Sequence, residues 1–227
     1  TAEGALLTSQ TRFTDGATTW VPAASGSIGH RSEHWIFDTW FDHVDPDFRA
    51  ENGYIVDTDL MGVGARGGYI ARPASDAVPM IYMIPAATGA EWHTDGTLRY
   101  VRWTPHTFMQ FGNGTTLMAG YQRGGELWSD TWLDRHGGRL GVGGPWTDWL
   151  QLRVGTVSGL SPYYDEDDPR SVLILRANSE LILEPIPRLA LGFEGGWERA
   201  VDAGEILHDG WVGRARLDAY ATRTLWA

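Results

Sequence analysis

The sequence predicts an all-β fold, an antiparallel transmembrane-type β-barrel with about ten strands. The main observation is a series of strand-length segments whose alternate residues are apolar, while the residues between them are charged or small and polar. Alternate side chains of a strand point to opposite faces, so each segment has an apolar face and a polar face. The second observation is length, because a tilted membrane strand needs about 9 to 11 residues whereas ordinary strands have about 5 to 6.

The first two thirds of the chain supply the predicted strands 5–13, 32–42, 57–71, 80–92, 97–111, 115–130 and 139–157. Glycine beside Asp, Asn or another glycine favours tight reversals between them. The predicted turns are Asp15-Gly16, Asn52-Gly53, Asp95-Gly96, Gly112-Asn113-Gly114, His136-Gly137-Gly138 and Asp209-Gly210. Longer loops are predicted at residues 23–29, 73–78, 159–169 and 200–209. No helical period of 3.6 residues and no internal repeat is evident.

The last third alternates most clearly, in segments 149–156, 170–184, 188–198 and 210–226. In segment 188–198, Leu189, Leu191 and Phe193 share one face, and Glu194 and Glu198 share the other. In a closed barrel the charged faces would meet in the lumen, where mixed charges pair with each other or line a polar channel. The predicted lumen-facing residues are Arg66, Arg153, Arg176, Glu180, Glu184, Arg188, Glu194, Arg214, Arg216 and Asp218.

Composition agrees with a membrane barrel. The 227 residues include twelve Trp and eight Tyr, many of them near predicted strand ends, where aromatic girdles meet the lipid–water interfaces. A core-packing or sugar-binding role is the alternative for these rings. No apolar run approaches the 18 residues of a transmembrane helix. The net charge of −11 argues against a nucleic-acid partner, so the expected partners are a lipid bilayer and other surface proteins.

Motifs for catalysis or for a cofactor are missing from the sequence. Cysteine is absent, which excludes disulfides, thiolate metal sites and a cysteine nucleophile. Neither Gly-x-Ser-x-Gly nor a His-x-His pair occurs, so we predict no catalytic residues, no cofactor and no zinc site. Four consecutive carboxylates in one loop are weak calcium candidates, although a solvated acidic loop is favoured over a metal site; they are Asp165, Glu166, Asp167 and Asp168.

One stretch of the chain resembles a known family. Residues 41–55 read Phe-Asp-His-Val-Asp-Pro-Asp-Phe-Arg-Ala-Glu-Asn-Gly-Tyr-Ile, with Asp57 and Asp59 following. This segment is similar to a block in a group of large bacterial surface proteins of unknown function. In that family a carbohydrate-binding-like β-sandwich precedes a C-terminal outer-membrane barrel that carries the block. The resemblance implies an outer-membrane barrel in a bacterium and implies no catalytic residues. Tyr54 stands where the family pattern has phenylalanine.

The same block has a structural interpretation of its own. Pro46 fixes φ, and Asp45 or Asp47 is placed to bond backbone amides two residues further on. We therefore expect a folded loop, or an inward plug held by Phe48. Over its whole length the chain is expected to form one barrel domain, 1–227, as the mature portion or a fragment of a longer protein. A mature portion or a fragment is expected because no signal-peptide pattern occurs at Thr1 and because an alternating run continues to the last residues.

Two other functions compete with a membrane barrel that has an anchoring, assembly or pore-like role. A water-soluble antiparallel sheet also alternates, so the chain could be a lipocalin-like barrel that binds or transforms an apolar ligand. Its pocket would then be walled by Trp35, Phe37, Phe41, Trp197 and Trp211. A third interpretation is an accessory subunit of a larger surface complex, with exposed rings at 128–132 and 163–164 as docking contacts.

Overall fold

The computed structural model describes residues 2–12, 18–48, 58–186 and 188–219, which form β-strands joined by turns and loops. The strands are β1 (Ala2–Arg12), β2 (Thr18–Arg31), β3 (Trp35–Val44), β4 (Leu60–Ala71), β5 (Met80–Trp92), β6 (Leu98–Trp103), β7 (His106–Gln110), β8 (Thr116–Trp128), β9 (Thr131–Thr147), β10 (Leu150–Tyr163), β11 (Arg170–Ile186), β12 (Leu189–Asp202) and β13 (Glu205–Ala219). All belong to one sheet and pair antiparallel in chain order, which confirms the predicted all-β antiparallel fold. None of the described residues forms a helix that is long and apolar enough to cross a membrane.

The described part of the sheet has twelve strand positions, where about ten strands were predicted. β6 and β7 together fill one position, because both lie between β5 and β8. Thr104 and Pro105 separate them, and proline has no N–H to donate to the ladder.

Several of the predicted boundaries are wrong. β2 runs through the predicted loop 23–29, and β9 runs through the predicted turn at residues 136–138. β10 continues to Tyr163, well into the predicted loop 159–169. The β12–β13 reversal is a two-residue turn, Ala203-Gly204, so only these two residues of the predicted loop 200–209 lie outside strands. The predicted turn at residues 209–210 lies inside β13. In each case residues that favour turns lie within a strand, where backbone pairing with the neighbouring strands holds them extended.

Two predicted turns are confirmed. Gly96 has φ +90° and Gly114 has φ +83°, values in the left-handed region that glycine adopts without strain. The predicted turns at residues 15–16 and 52–53 lie outside the described residues.

The register divides the sheet into two faces, because directly paired residues point to the same side. Glu180 pairs with Arg153 and Glu194, and Glu194 pairs with Arg214, so these side chains define a charged face. Leu181 pairs with Leu152 and Phe193, which define an apolar face.

The buried side chains lie on the charged face, and large side chains on the apolar face are exposed. This is the reverse of the arrangement in a water-soluble sheet. The most buried large side chains, Ile70, Leu133 and Val172, lie on the charged face and are at most 1% exposed. On the apolar face, Leu140 is 60% and Trp211 is 83% exposed. A single sheet buries side chains on one of its faces by curling around them, so the charged face is the concave one.

Candidate functional site

Ion pairs line the charged face, four of them between neighbouring strands and one, Arg216–Asp218, within β13. Seven of the predicted lumen-facing residues lie on the charged face: Arg153, Arg176, Glu180, Glu194, Arg214, Arg216 and Asp218. Arg188, which was also predicted to face the lumen, lies in the turn before β12. Arg66 also lies on the charged face, whereas Glu184 follows Leu183, the last residue of β11 that pairs with β10, in an irregular stretch of the strand. The pairs are Arg66–Asp38 (2.8 Å), Arg153–Glu180 (2.6 Å), Arg176–Glu198, Arg214–Glu194 (2.7 Å) and Arg216–Asp218 (2.9 Å). No pairing between β1 and β13 is present among the described residues, so the position of these side chains in a closed lumen stays a prediction.

Long side chains on the charged face lie flat against the sheet. Each covers a glycine on the neighbouring strand that is its direct partner: Trp40 over Gly64, Arg139 over Gly120, Arg153 over Gly143 and Asn178 over Gly155. A Cβ atom at Gly120 would lie 2.7 Å from Nε of Arg139, and one at Gly143 would lie 2.6 Å from Cγ of Arg153. The glycines therefore let these side chains run along the wall, which leaves the middle of the concave side less filled.

A polar network joins the β10–β11 loop to β8 and β9. The Tyr164 hydroxyl donates to Glu126, and Glu126 also accepts from Nη2 of Arg135 at 3.3 Å. The Tyr164 ring packs 5.0 Å from the ring of Trp128. Burial and the hydrogen bond to Glu126 raise the pKa of Tyr164 to about 12. The loop is thus held against the end of β8.

The block that carries the family resemblance folds inward at Phe48. This ring is 6% exposed and packs against Val21 and Ala23, which lie on the charged face. Oδ1 of Asp45 accepts from the backbone N–H of Asp47 at 3.0 Å, the Asx turn expected from the sequence. Phe48 therefore fixes the chain to the inside of the sheet just before residues 49–57, which are not described.

Hydrogen bonds to Asp59 join the loop before β4 to the β5–β6 turn. The carboxylate of Asp59 accepts from the Thr94 hydroxyl, from the Thr94 backbone N–H (2.9 Å) and from Nδ1 of His93 (2.8 Å). The Thr94 hydrogen bonds, followed by those of His93, lower the pKa of Asp59 from 3.8 to about 2. Asp59 has φ +62°. With the carboxylate shared in this way, the arrangement is a structural clamp.

The acidic loop is not built as a metal site. Oδ1 of Asp165 accepts from the backbone N–H groups of Asp167 and Asp168, and the Asp168 carboxylate pairs with Arg170. Among the described residues no group of three or more His, Asp or Glu side chains is placed to hold a metal ion. The weak calcium candidates Asp165, Glu166, Asp167 and Asp168 thus gain no support.

The lipocalin-like alternative is contradicted by the exposure of its predicted pocket wall. Trp35 is 61% exposed, Phe37 and Phe41 are each 48% exposed, and Trp211 is 83% exposed. Trp197 lies on the same face and donates its indole N–H to Asp209. These rings point away from the concave side, because the apolar face is the convex one.

No protein-family model matches the chain, and none of the curated proteins matches it. Among solved structures, a structure of the NanC porin is similar over 97% of this chain and 99% of that chain, with 9% sequence identity and a TM-score of 0.36. A TM-score this low assigns neither a function nor a ligand to this chain.

Proposed function

We propose that the chain is an outer-membrane β-barrel with a pore-like role, whose apolar face contacts lipid and whose charged face lines a polar interior. The observation that carries this proposal is the inverted exposure along single strands. In β9 the charged-face residues Arg135 and Arg139 are half-buried, whereas Leu140 is 60% exposed. In water such a face would be a very large apolar patch, whereas a bilayer is the solvent that leucine requires there.

The ends of the sheet support the same orientation. Trp20 and Trp132 lie at one end of the strands, and Trp35 and Trp146 lie at the other, all between 40% and 67% exposed. Aliphatic side chains such as Leu140 lie between the two ends. Rings at both ends of an aliphatic band suit the two interfaces of a bilayer.

A pore-like role is favoured over a plain anchor by the way in which the interior is filled. Barrels of about eight strands are packed with side chains, and barrels of about 16 strands enclose an aqueous channel. Twelve strand positions fall between these limits, and the long side chains lie along the wall over glycines. Closure in this proposal comes from pairing of β1 with β13.

Single spin labels test the orientation, because the chain has no cysteine of its own. Labels at Leu140 and Leu217 report the apolar face, and labels at Gln122 and Arg216 report the charged face. In bilayers we expect the leucine positions to be accessible to oxygen and the polar positions to be accessible to a nickel chelate. Leucine positions open to the nickel chelate would overturn the proposal. Planar-bilayer conductance then separates a pore from an anchor, which would give no current.

The family relationship, the bacterial origin and a role within a surface complex remain predictions. Trp128 and Tyr164, two rings suggested as docking contacts, are half-exposed and pack against each other. Co-purification of a second surface protein that is lost when both are replaced by alanine would support the complex.

A further inference from the structure

We propose that the charged face holds a binding site for a small carboxylate anion, with Arg139 as its anchoring residue. The inference deepens the proposed function, and it rests on that function for access to the site from the lumen. The starting observation is that the Nε atom of Arg139 is buried and has no hydrogen-bond partner. An N–H removed from water without an acceptor is costly, so a buried guanidinium normally has one.

Arg135 and Arg170 also have a buried Nε atom without a hydrogen bond. The other arginines on the charged face, these two included, nevertheless differ from Arg139, because each has a partner for its side chain. Among the described strand residues, seven of them form ion pairs with carboxylates: Arg66, Arg135, Arg153, Arg170, Arg176, Arg214 and Arg216. Two more contact tyrosines, since Arg31 donates to the Tyr82 hydroxyl and Arg102 lies over the Tyr100 ring. Arg139 shows no such contact, so its positive charge is uncompensated within the described part of the sheet.

A cavity of about 190 Å³ lies beside this guanidinium. Its lining includes three arginines, Arg135, Arg139 and Arg176, together with Gln122 and Ser161, whose side chains can donate as well as accept hydrogen bonds. No carboxylate among the described residues lines it, and the charges of Arg135 and Arg176 are already offset by Glu126 and Glu198. The cavity therefore has a net charge of about +1, which suits one monovalent anion.

The shape of the site favours a carboxylate over a spherical ion. A planar guanidinium with an open edge matches the two oxygens of a carboxylate by parallel hydrogen bonds. The volume exceeds that of a single water, about 30 Å³ in the liquid, and is below the 300 Å³ or so of a drug-sized pocket. Val157 and Ile174 supply an apolar wall for a short carbon chain. The ligand class is therefore a short monocarboxylate.

Gly120 leaves the space that the Arg139 side chain occupies. It pairs directly with Arg139, and a Cβ atom there would lie 2.7 Å from Nε. Gly120→Ala would consequently displace the guanidinium without removing its charge. The variant separates a shaped site from a general attraction of anions to a positive wall.

The test is a titration of the folded, ¹⁵N-labelled chain in detergent with sodium acetate, followed by the arginine Nε–H signals in NMR. We expect one saturating shift of the Arg139 Nε–H signal in the unchanged chain. In Gly120→Ala, and in Arg139→Gln followed at the Arg135 and Arg176 signals, we expect an affinity lower by about tenfold or more. Arg153→Gln is the matched control, because Arg153 lies on the same face outside the cavity and is paired with Glu180. It should bind acetate as the unchanged chain does.

Three results would overturn the site: no saturating signal in the unchanged chain, unchanged acetate binding in Arg139→Gln, or equal competition by chloride. The titration needs only a folded chain, verified by circular dichroism, and can be run in buffer if the chain proves water-soluble. Failure of the membrane proposal is therefore visible in the spin-label accessibilities, and failure of the anion site is visible in the titration.

Discussion

Two neighbouring residues of β9 illustrate the contrast between the two faces of the sheet. Arg139 is half-buried with an enclosed Nε atom, whereas Leu140, the next residue, is 60% exposed. A strand of a water-soluble sheet would bury the leucine and expose the arginine. Hydropathy alternation therefore identifies the two faces of a strand. Only the exposure of the side chains in the folded sheet shows which face points outward.

The largest expected effect comes from the inward contact of Phe48. Phe48→Ala should lower the free energy of unfolding by about 3 to 5 kcal/mol, because a closely packed ring is removed from Val21 and Ala23 and leaves a cavity. Denaturant unfolding in detergent, followed by tryptophan fluorescence, measures it.

Phe37→Ala is the matched control on the apolar face, where the ring is 48% exposed. Fluid detergent chains can fill the space left by this ring, so we expect a smaller loss without the cavity contribution. Equal losses for the two variants would mean that Phe48 is not packed on the inside of the sheet.

A charge placed on each face tests the contrast directly. Leu140→Arg, near the middle of β9, should cost about 2 to 4 kcal/mol in a bilayer, the range for arginine at the midplane of a membrane barrel. Gln122→Arg on the charged face is the control and should cost much less, since that side is polar. Unfolding in lipid vesicles supplies both values. A Leu140→Arg variant as stable as its parent would remove the case for lipid contact.

The alternation was enough to predict the antiparallel sheet and the two faces of its last four strands. Leucine and charged residues alternate there without interruption, as in segment 170–184, and the register confirms the shared faces. β2 was missed because Pro22, Ala23, Ala24 and Gly26 carry no periodic signal, although their backbone pairs on both sides. Extended backbone in such a segment is imposed by its neighbours, and no local pattern records it.

The Arg139 site could not be predicted from the sequence, for a different reason. Its features depend on which residue of β8 stands opposite Arg139, and a shift of one residue would replace Gly120 by Ala119 or Tyr121. Register is a property of the assembled sheet. The available signal was a set of polar residues at even positions of β8, Thr116, Gln122 and Glu126, which marks a polar face without fixing its partner.

A smaller effect is expected where the charged face reaches the strand ends. Glu126→Gln removes the charge that Arg135 and Tyr164 share, and both carboxylate and guanidinium are less than a third exposed. We expect a loss of about 1 to 3 kcal/mol in unfolding free energy, because Arg135 keeps a partly buried charge without its counterion. Asp218→Asn is the control: its partner Arg216 is 72% exposed, and such pairs contribute about 0 to 1 kcal/mol.

The same variant should move the titration of Tyr164. Its pKa of about 12 reflects burial first and the bond to Glu126 second, so in Glu126→Gln it should fall while staying above 10. The neutral phenol is the form that the fold favours, so this contribution to stability is present below pH 10 and is lost as the pH rises through about 12. ¹³C NMR of labelled tyrosine measures the shift; an unchanged pKa would show that the carboxylate has no part in it.

The smallest effect concerns the Asp59 clamp, which lies on neither face of the sheet. Its folded pKa is depressed from 3.8 to about 2, so the carboxylate contributes stability above pH 3.8 that is lost as the pH falls through about 2. Thr94→Val removes the hydroxyl that lowers the pKa most, so the Asp59 pKa should rise towards 3.8 in an NMR titration. Because Asp59 and His93 are each about one third exposed, global unfolding should change little. Hydrogen exchange of the backbone amide at position 94 should be faster in the variant than in the unchanged chain. Equal exchange in the two would mean that the clamp does not hold the turn.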